Sequence, residues 1–386
     1  MPNLADVFAD DVTAHSIDLM RLDAHTRREV LGILFELQES LVQEITSISP
    51  TDPVRQTIRF RRMEVLNDNV ARIIREHYQQ INSLTNSSMR DLAGFELERS
   101  SAMFNEAIGI NLMTVDTAPT VLTQIVRGTL IEGAPQKEWW GRQAESLRQN
   151  FTDQMTQGII RGETNSQLVQ RVRGTHTGTF QNVIVNGTTR RVGNFAGGIM
   201  DISTSKASTL VRTSVQSVAN YARLESYQQN SELIKGMQAL VTLDNRTSTI
   251  CIARSNKAWT LDGDPIPPNT ESFPGPPPWH FNCRSTLIPL TYSWDELAAR
   301  NSGLSRTQRT KLFEIDDGTQ ASMDGYVAED LSYEQWLGTK PVSFQKEVLG
   351  TSRWTLWNEG KISSLSQLVD QSGNPLSMAE LQAKYS

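Results

Sequence analysis

The chain of 386 residues predicts an α+β fold that is predominantly helical. Three observations carry that expectation. The first ~160 residues place apolar side chains three or four positions apart, the spacing that lines one face of a helix. The character then changes: from 161 to 295 a hairpin signal and short strand-like runs alternate with two helical stretches, which predicts a small mixed α/β domain. From 296 to 386 the sequence returns to short helical runs with aromatic anchors, a helical C-terminal tail. The boundaries read from this are 1–160, 161–295 and 296–386, with the N-terminal part a helical bundle or arm.

Composition narrows the class. Hydrophobic residues make up 38% and charged residues 21%, with a net charge of -6 and a pI near 5.5. These values belong to an ordinary, slightly polar globular protein. No apolar run approaches the ~18 residues of a membrane span. The opening "MPNLADVFADD" is acidic with no apolar core behind it, so no secretory signal is expected. A protein that works without a membrane, beginning in the cytoplasm, is the expectation. Two cysteines cannot build a disulfide framework. The acidic balance argues against wholesale coating of nucleic acid and leaves room for a local basic face.

The elements follow in order. In "RREVLGILFELQESLVQEITSI" the residues Val30, Leu34, Leu37, Leu41, Ile45 and Ile48 share a helix face. "SPTDP" (49–53) ends that helix, because proline lacks an amide and disfavours helix before itself. A second stripe runs Met63, Leu66, Val70, Ile73, His77, Ile81, Leu84, with His77 read as a packing histidine. A third helix is expected from Phe95 to Leu112. Pro119 interrupts, and "TVLTQIVRGTLI" gives a short helix. Trp140, Ala144, Leu147, Phe151, Met155 and Ile159 then line one side of a long helix, with Trp139 and Trp140 as packing anchors. Long antiparallel helices satisfy such stripes economically.

After residue 160, Asn165 or Ser166 is the expected N-cap of a short helix. "FQNVIVNGTTRRVGNF" reads as a β-hairpin about Asn186-Gly187, the strongest short hairpin signal. Arg190 and Arg191 on its return strand line a solvated face or touch phosphate. Residues 203–230 form a helix with Val211, Val215, Val218 and Ala222 in register, and 237–243 form a strand. Asp244 and Asn245 are turn formers. "DGDPIPPNTESFPGPPP" (262–278) is a loop too rich in proline and glycine for regular structure. "TLIPLTY" is a short strand, and Trp336, Phe344, Trp354 and Trp357 anchor the tail helices.

Chemistry concentrates at one place. Cys251, His280 and Cys283 are the plausible metal set, since thiolate and imidazole suit zinc. Structural zinc takes four ligands; the fourth here would be Asp244, a water or nothing. No Cys-x-x-Cys pair supports the set. Three readings therefore stay open: zinc, a Cys251–Cys283 disulfide, or a packed corner without metal. The baseline expectation is no cofactor. A cysteine nucleophile needs an adjacent base; His280 is near Cys283, but no orienting acid or oxyanion group accompanies them. Asp244, Arg246 and Thr247 pin a turn rather than serve catalysis, and Arg212 is expected to pair with a carboxylate such as Asp244. The phosphate-loop, dinucleotide-binding, His-Glu-x-x-His and Gly-x-Ser-x-Gly patterns are missing from the sequence. No catalytic residue, and no enzyme, is expected.

The ordered combination of "LVRTS" on a helix, a strand, "LDNRTSTIC", a proline-rich loop and "PPPWHFNCRSTLIPL" resembles the phage head morphogenesis family, the Mu F-like minor head proteins of tailed bacteriophages. The family's motif residues fall on Arg212 and Thr213, on Asp244, Arg246, Thr247, Ser248 and Cys251, and on His280, Asn282, Cys283, Arg284 and Ser285. The tail "YEQWLGTKPVSFQKEVLGTSRWTLWNEGKISSLSQLV" resembles the family's tail as well, so the likeness covers roughly 160 to 386. Many members carry a cysteine where this chain has Ser285, and often a second one near Cys251, so an all-cysteine metal site is untenable here. The resemblance implies a virion protein present in few copies, located in the head near the portal vertex after assembly in the host cytoplasm. Its implied partners are the portal protein, the major capsid or scaffolding protein, and packaged DNA. Two other readings compete: a zinc-stabilised DNA-binding protein, and an enzyme related to ADP-ribosyltransferase or nuclease toxins.

Overall fold

The computed structural model describes residues 4–47, 56–108, 111–292, 296, 319–322, 325–328, 331–370 and 375–385. Two long helices come first, α1 (Leu4–Ser47) and α2 (Gln56–Ile108). The α1 stripe is realised in full where it is described: Val30, Leu34, Leu37, Leu41 and Ile45 are completely buried. Ile48 and the "SPTDP" break lie outside the described residues. On α2 the buried face comprises Leu66, Val70, Ile73, Ile74, Tyr78 and Ile81. His77 is half-buried beside it, its Nδ1 2.8 Å from the Ile73 carbonyl.

The expected third helix is not separate. α2 runs without a break to Ile108, through Gly94, whose cost in a helix is only ~1 kcal/mol. Met89, Leu92, Ala93, Leu97 and Phe104 are buried along that stretch, and their packing outweighs a single glycine. Pro119 also does the reverse of interrupting. It opens α3 (Pro119–Gly128), because the first turn of a helix has no use for the missing amide.

The chain packs as two units. One comprises Met20–Asp91 and Val126–Val215; the other comprises Met1–Leu19, Leu92–Ile125 and Gln216–Ser386. In the first, α4 (Gln136–Ile160) lies antiparallel to α2: Trp140 Nε1 donates to Thr85 Oγ1 at 3.2 Å, while Thr152, further along α4, meets Asn67, further back on α2. Trp140 is buried and Trp139 half-buried, its indole nitrogen donating to the carbonyl of Ile131 in β1 (Leu130–Ile131), which pairs with β2 (Ala134–Pro135). Next comes α5 (Asn165–Arg173). Its N-cap is Thr164, one residue before Asn165 and two before Ser166, the expected caps. Thr164 and Gln167 exchange side-chain and backbone hydrogen bonds in a capping box.

The hairpin has the predicted turn and longer arms. β3 (Gly174–Val185) pairs antiparallel with β4 (Thr188–Gly197). Asn186 and Gly187 have φ of 49° and 73°, the positive values a type I′ turn requires. Val183, Val185 and Val192 form a small buried cluster with Leu31 and Phe35 of α1. Gly32 permits this: a Cβ there would stand 1.8 Å from the Ile184 carbonyl oxygen. α6 (Ile199–Gln228) follows.

The second unit holds a four-stranded antiparallel sheet in the order β7 (Pro265–Ile266), β6 (Ala258–Thr260), β5 (Ile234–Leu240), β8 (Thr286–Thr291). The proline-rich loop thus contributes one two-residue strand, a departure from the irregular structure expected throughout it. Phe104, Met113, Tyr227, Leu233, Ile234, Met237, Trp259 and Leu287 form the core of this sheet. A short hairpin, β9 (Thr319–Ser322) with β10 (Gly325–Ala328), lies later in the chain. The tail forms α8 (Tyr333–Gly338), α9 (Val342–Leu349), α10 (Thr351–Asn358), a 3-10 turn over Leu365–Leu368, and α11 (Met378–Tyr385). Its Tyr333, Trp336, Leu337, Leu349 and Leu356 pack in one cluster with Val241, Leu243, Ile252, Cys251 and Cys283.

A buried polar chain locks α6 to the start of β8. Arg223 Nε donates to Glu96 Oε2 at 3.1 Å, and both side chains are almost wholly buried. His15 contacts the other Glu96 oxygen, and Arg223 also reaches the Thr286 hydroxyl. Asn220 Oδ1 accepts from Thr286 Oγ1 at 2.8 Å and from the Leu287 amide at 3.2 Å. Burial alone would raise the Glu96 pKa, but Arg223 and His15 outweigh it and hold the carboxyl below its usual value. Among the described residues, no helix is long and apolar enough to cross a membrane.

Candidate functional site

The candidate site grows from the end of β5. The chain passes Leu243, turns at Asp244, and starts the short helix α7 (Thr249–Ala253). Ser248 caps it, its hydroxyl accepting from the Cys251 amide at 3.4 Å. That places Cys251 on the inward side, 2% exposed. The proline-rich loop then returns to Trp279, whose indole donates to the Gly275 carbonyl at 3.0 Å. Arg254 lies over the Trp279 ring at 4.9 Å and pairs with Glu271, which Lys257 also holds. The next turn closes through Cys283 N to His280 O at 3.1 Å, with Asn282 at φ 60°. Asparagine tolerates that left-handed conformation better than most residues. Cys283 emerges inward, 3% exposed, just ahead of β8.

This geometry brings three predicted residues together. Cys251 Sγ is 3.5 Å from Cys283 Sγ and 3.1 Å from His280 Nε2. The sulfurs are well beyond the ~2.05 Å of a disulfide bond, and both cysteines are free thiols. Ser248 Oγ is 2.8 Å from the same His280 nitrogen, and the Ser285 hydroxyl also bonds the Cys251 sulfur. The Cys251 and Cys283 pKa values move apart. Hydrogen bonding to Cys251, helped by His280, pulls Cys283 down, while the same bond and burial push Cys251 up.

Asp244 sits beside this corner and is fully engaged. Arg284 grips both its oxygens, Nη1 to Oδ2 at 2.6 Å and Nη2 to Oδ1 at 2.8 Å, the bidentate geometry that gives the strongest ion pairs. The Arg246 amide and the Thr247 hydroxyl bond to Oδ1 as well, and Tyr333 Oη donates to the Asp244 backbone carbonyl at 2.7 Å. Burial would raise the Asp244 pKa, but the Arg284 bonds more than offset it and the carboxyl is held below its usual range. The expected pairing of Arg212 with Asp244 is therefore replaced. Arg212 Nε lies 3.5 Å from Asp23 Oδ2, because Arg284 is one residue from Cys283 and reaches the carboxylate directly.

The remaining motif residues divide. Thr247 Oγ1 ties the turn by donating to the Thr242 carbonyl at 2.5 Å. Arg246 points outward, 79% exposed, with Asp244 at 3.6 Å. Thr213 is buried on α6 and donates to the Thr209 carbonyl at 2.8 Å, a helix-internal bond. Arg190 and Arg191 are exposed on β4, with Arg191 stacked 4.4 Å over the Phe180 ring.

Sequence reasoning missed three contributors: Tyr333, the Ser285 hydroxyl and the His15–Glu96–Arg223 chain; it did direct Arg284 toward the Asp244 turn, where the structure places it. A signal existed for Arg284, which directly follows Cys283. None existed for Glu96 and Arg223, charged residues within long helical stretches. In chemical terms, the corner can hold a soft metal or brace the loop. Its sulfurs are buried and present no attacking atom to solvent.

The family model described as phage Mu protein F like protein matches residues 149–288. No curated protein and no solved structure matches the chain. The matched segment begins within α4, contains the hairpin, α6 and β5, and ends inside β8, so it encloses Asp244, Cys251, His280, Cys283 and Arg284. Over residues 149–288 the chain is similar to the family described as phage Mu protein F like protein.

Proposed function

We propose that this chain is a minor head protein of a tailed phage that associates with the portal and takes part in head assembly, DNA packaging or ejection. The single observation behind this reading is the family match, which covers the braced corner and the helix and hairpin before it. In this reading the corner is structural, because each of its charged and thiol groups is already engaged by a neighbour. The portal protein and the major capsid or scaffolding protein are the partners, and the protein resides in the virion head near the portal vertex. The test is a nonsense mutant of the gene in its phage. Mutant lysates are expected to yield heads lacking this protein, with fewer DNA-filled particles or fewer successful ejections. Particles of unchanged composition and infectivity would sink the proposal.

Direct contact with DNA is a second reading, favoured by the hairpin. Between Gly174 and Gly197 there is no acidic residue, in a chain whose net charge is -6. Among the described residues Arg190 and Arg191 have no carboxylate partner. An enzymatic reading has the least support. NAD cleavage or nuclease activity that disappears in His280→Ala would establish it.

A further inference from the structure

We propose that Cys251, His280 and Cys283 bind one zinc ion that fastens the proline-rich loop and the C-terminal helices to the sheet. The inference is independent of the head-assembly reading, since it rests on the geometry of the corner alone.

The convergence comes first. One ligand atom from each of the three residues lies within 4.8 Å of the other two. With Zn–S near 2.3 Å and Zn–N near 2.0 Å, a tetrahedral ion sets its ligands roughly 3.5–3.8 Å apart. The sulfurs are already 3.5 Å apart, and Cys251 Sγ is 3.1 Å from His280 Nε2. Both of these separations lie within a few tenths of an ångström of the tetrahedral values. The three residues come from two segments whose backbones are fixed independently, by the Ser248 cap and by the His280–Cys283 turn.

The imidazole is the second argument. Its Nδ1 lies 2.9 Å from the Phe281 carbonyl oxygen. A carbonyl only accepts, so Nδ1 carries the hydrogen, and in the neutral ring Nε2 is left with its lone pair aimed at the cysteines. This is the arrangement by which metal-bound histidines are oriented, with the remote N–H donating to a backbone carbonyl.

The third argument is charge. Two thiolates side by side in a buried site repel each other, and protons must relieve them. A divalent cation does so completely, since two thiolates and a neutral imidazole around it sum to zero. Softness and the tetrahedral preference select zinc among common ions. Binding displaces thiol protons, so affinity falls as the pH is lowered.

The fourth position was the weakness in the sequence. Asp244 does not supply it, because Arg284 holds both its oxygens. The buried Ser285 hydroxyl bonds the Cys251 sulfur. Its backbone is pinned, the carbonyl accepting from Gln216 Nε2 at 3.0 Å and Asn220 Nδ2 at 3.3 Å. Ser285 therefore marks the fourth corner, which a water or this hydroxyl fills. A thiol placed there would complete a three-cysteine, one-histidine set.

The full chain, expressed with zinc in the medium and purified under reducing conditions, is assayed by elemental analysis and by cobalt(II) replacement. The expected result is about one zinc per chain, with a cobalt spectrum showing thiolate charge transfer. Cys283→Ser and His280→Ala should lose the ion. Ser285→Cys should retain zinc against a chelator at ~10-fold or higher concentration. With metal removed, the helices between Tyr333 and Tyr385 should exchange amide hydrogens faster, because they pack on both cysteines. If Cys283→Ser fails to fold, wild type and Ser285→Cys decide the matter. Wild type without zinc or a cobalt–thiolate band, or a zinc content unmoved by any of these substitutions, would overturn the proposal.

Discussion

Two pairs of arginines, one pair in each packing unit, serve in opposite ways. In the unit containing the sheet, Arg223 and Arg284 each grip a carboxylate, Glu96 and Asp244, and fasten an element onto β8 or the loop before it. In the unit containing the hairpin, Arg190 and Arg191 extend from β4 into solvent, with only the Phe180 ring beside Arg191. The first pair is placed so that removing a partner leaves a charge stranded. The second pair is placed so that removal costs the fold little. Side chains of one chemical type therefore divide into braces and contacts according to whether a carboxylate faces them.

Arg223→Ala should produce the largest effect. Glu96 would remain buried, 1% exposed, opposite His15 alone. Breaking a buried pair from one side costs roughly 3–5 kcal/mol, which urea unfolding would read as a large drop in midpoint. A loss below ~1 kcal/mol would place the pair among ordinary surface bridges and erase the contrast.

Asp244→Asn should come next. It removes one side of a bidentate pair that is partly exposed on the Arg284 side, a loss of about 1–3 kcal/mol. The pH dependence has a defined sign. Asp244 and Glu96 both have pKa values below those of the unfolded chain. Their contribution is complete above the unfolded carboxylate value of ~4 and is lost as the pH falls through the lower folded values. With metal removed by a chelator, wild type should hold its thermal midpoint from neutral pH down to that value and fall below it, whereas Asp244→Asn should fall less steeply. Equal slopes in the two proteins would show that Arg284 does not perturb Asp244.

Much of this was legible in the sequence, and the reasons differ from element to element. The α1 stripe and the Asn186-Gly187 turn rest on local rules, periodicity and positive φ, and the structure carries both. The continuity of α2 was hidden because a gap in an apolar stripe looks like a helix end, while tertiary packing carries the helix past Gly94. At the corner, residue types announced Cys251, His280 and Cys283, and the structure brings their ligand atoms together. Partner choice was only partly within reach: the motif directed Arg284 toward the Asp244 turn, while the partner of Arg212 was not legible. Asp244 selects Arg284 across 40 residues of chain and Arg212 lies against Asp23, because such pairs are decided by how helices and loops stack and not by any local pattern. The buried Glu96 and Arg223 were silent for the same reason.

The hairpin supplies the smallest change in stability and the sharpest test of the comparison. Arg190→Ala with Arg191→Ala should alter unfolding free energy by no more than ~0.5 kcal/mol, as surface substitutions do. The structural face of the hairpin, Val183, Val185 and Val192 against Leu31 and Phe35, would be untouched. Their effect should appear in duplex DNA binding. A two-stranded ribbon fits the major groove, and Phe180, 52% exposed beneath Arg191, offers an apolar surface next to the cations. Each arginine on a phosphate contributes about one to the slope of log affinity against log salt. The double substitution should therefore flatten that slope by about two and weaken binding similarly for unrelated sequences. Wild-type protein that fails to bind duplex DNA at low salt would leave the hairpin arginines to a protein partner. A variant that loses stability along with binding would make them braces after all, no different from Arg223 and Arg284.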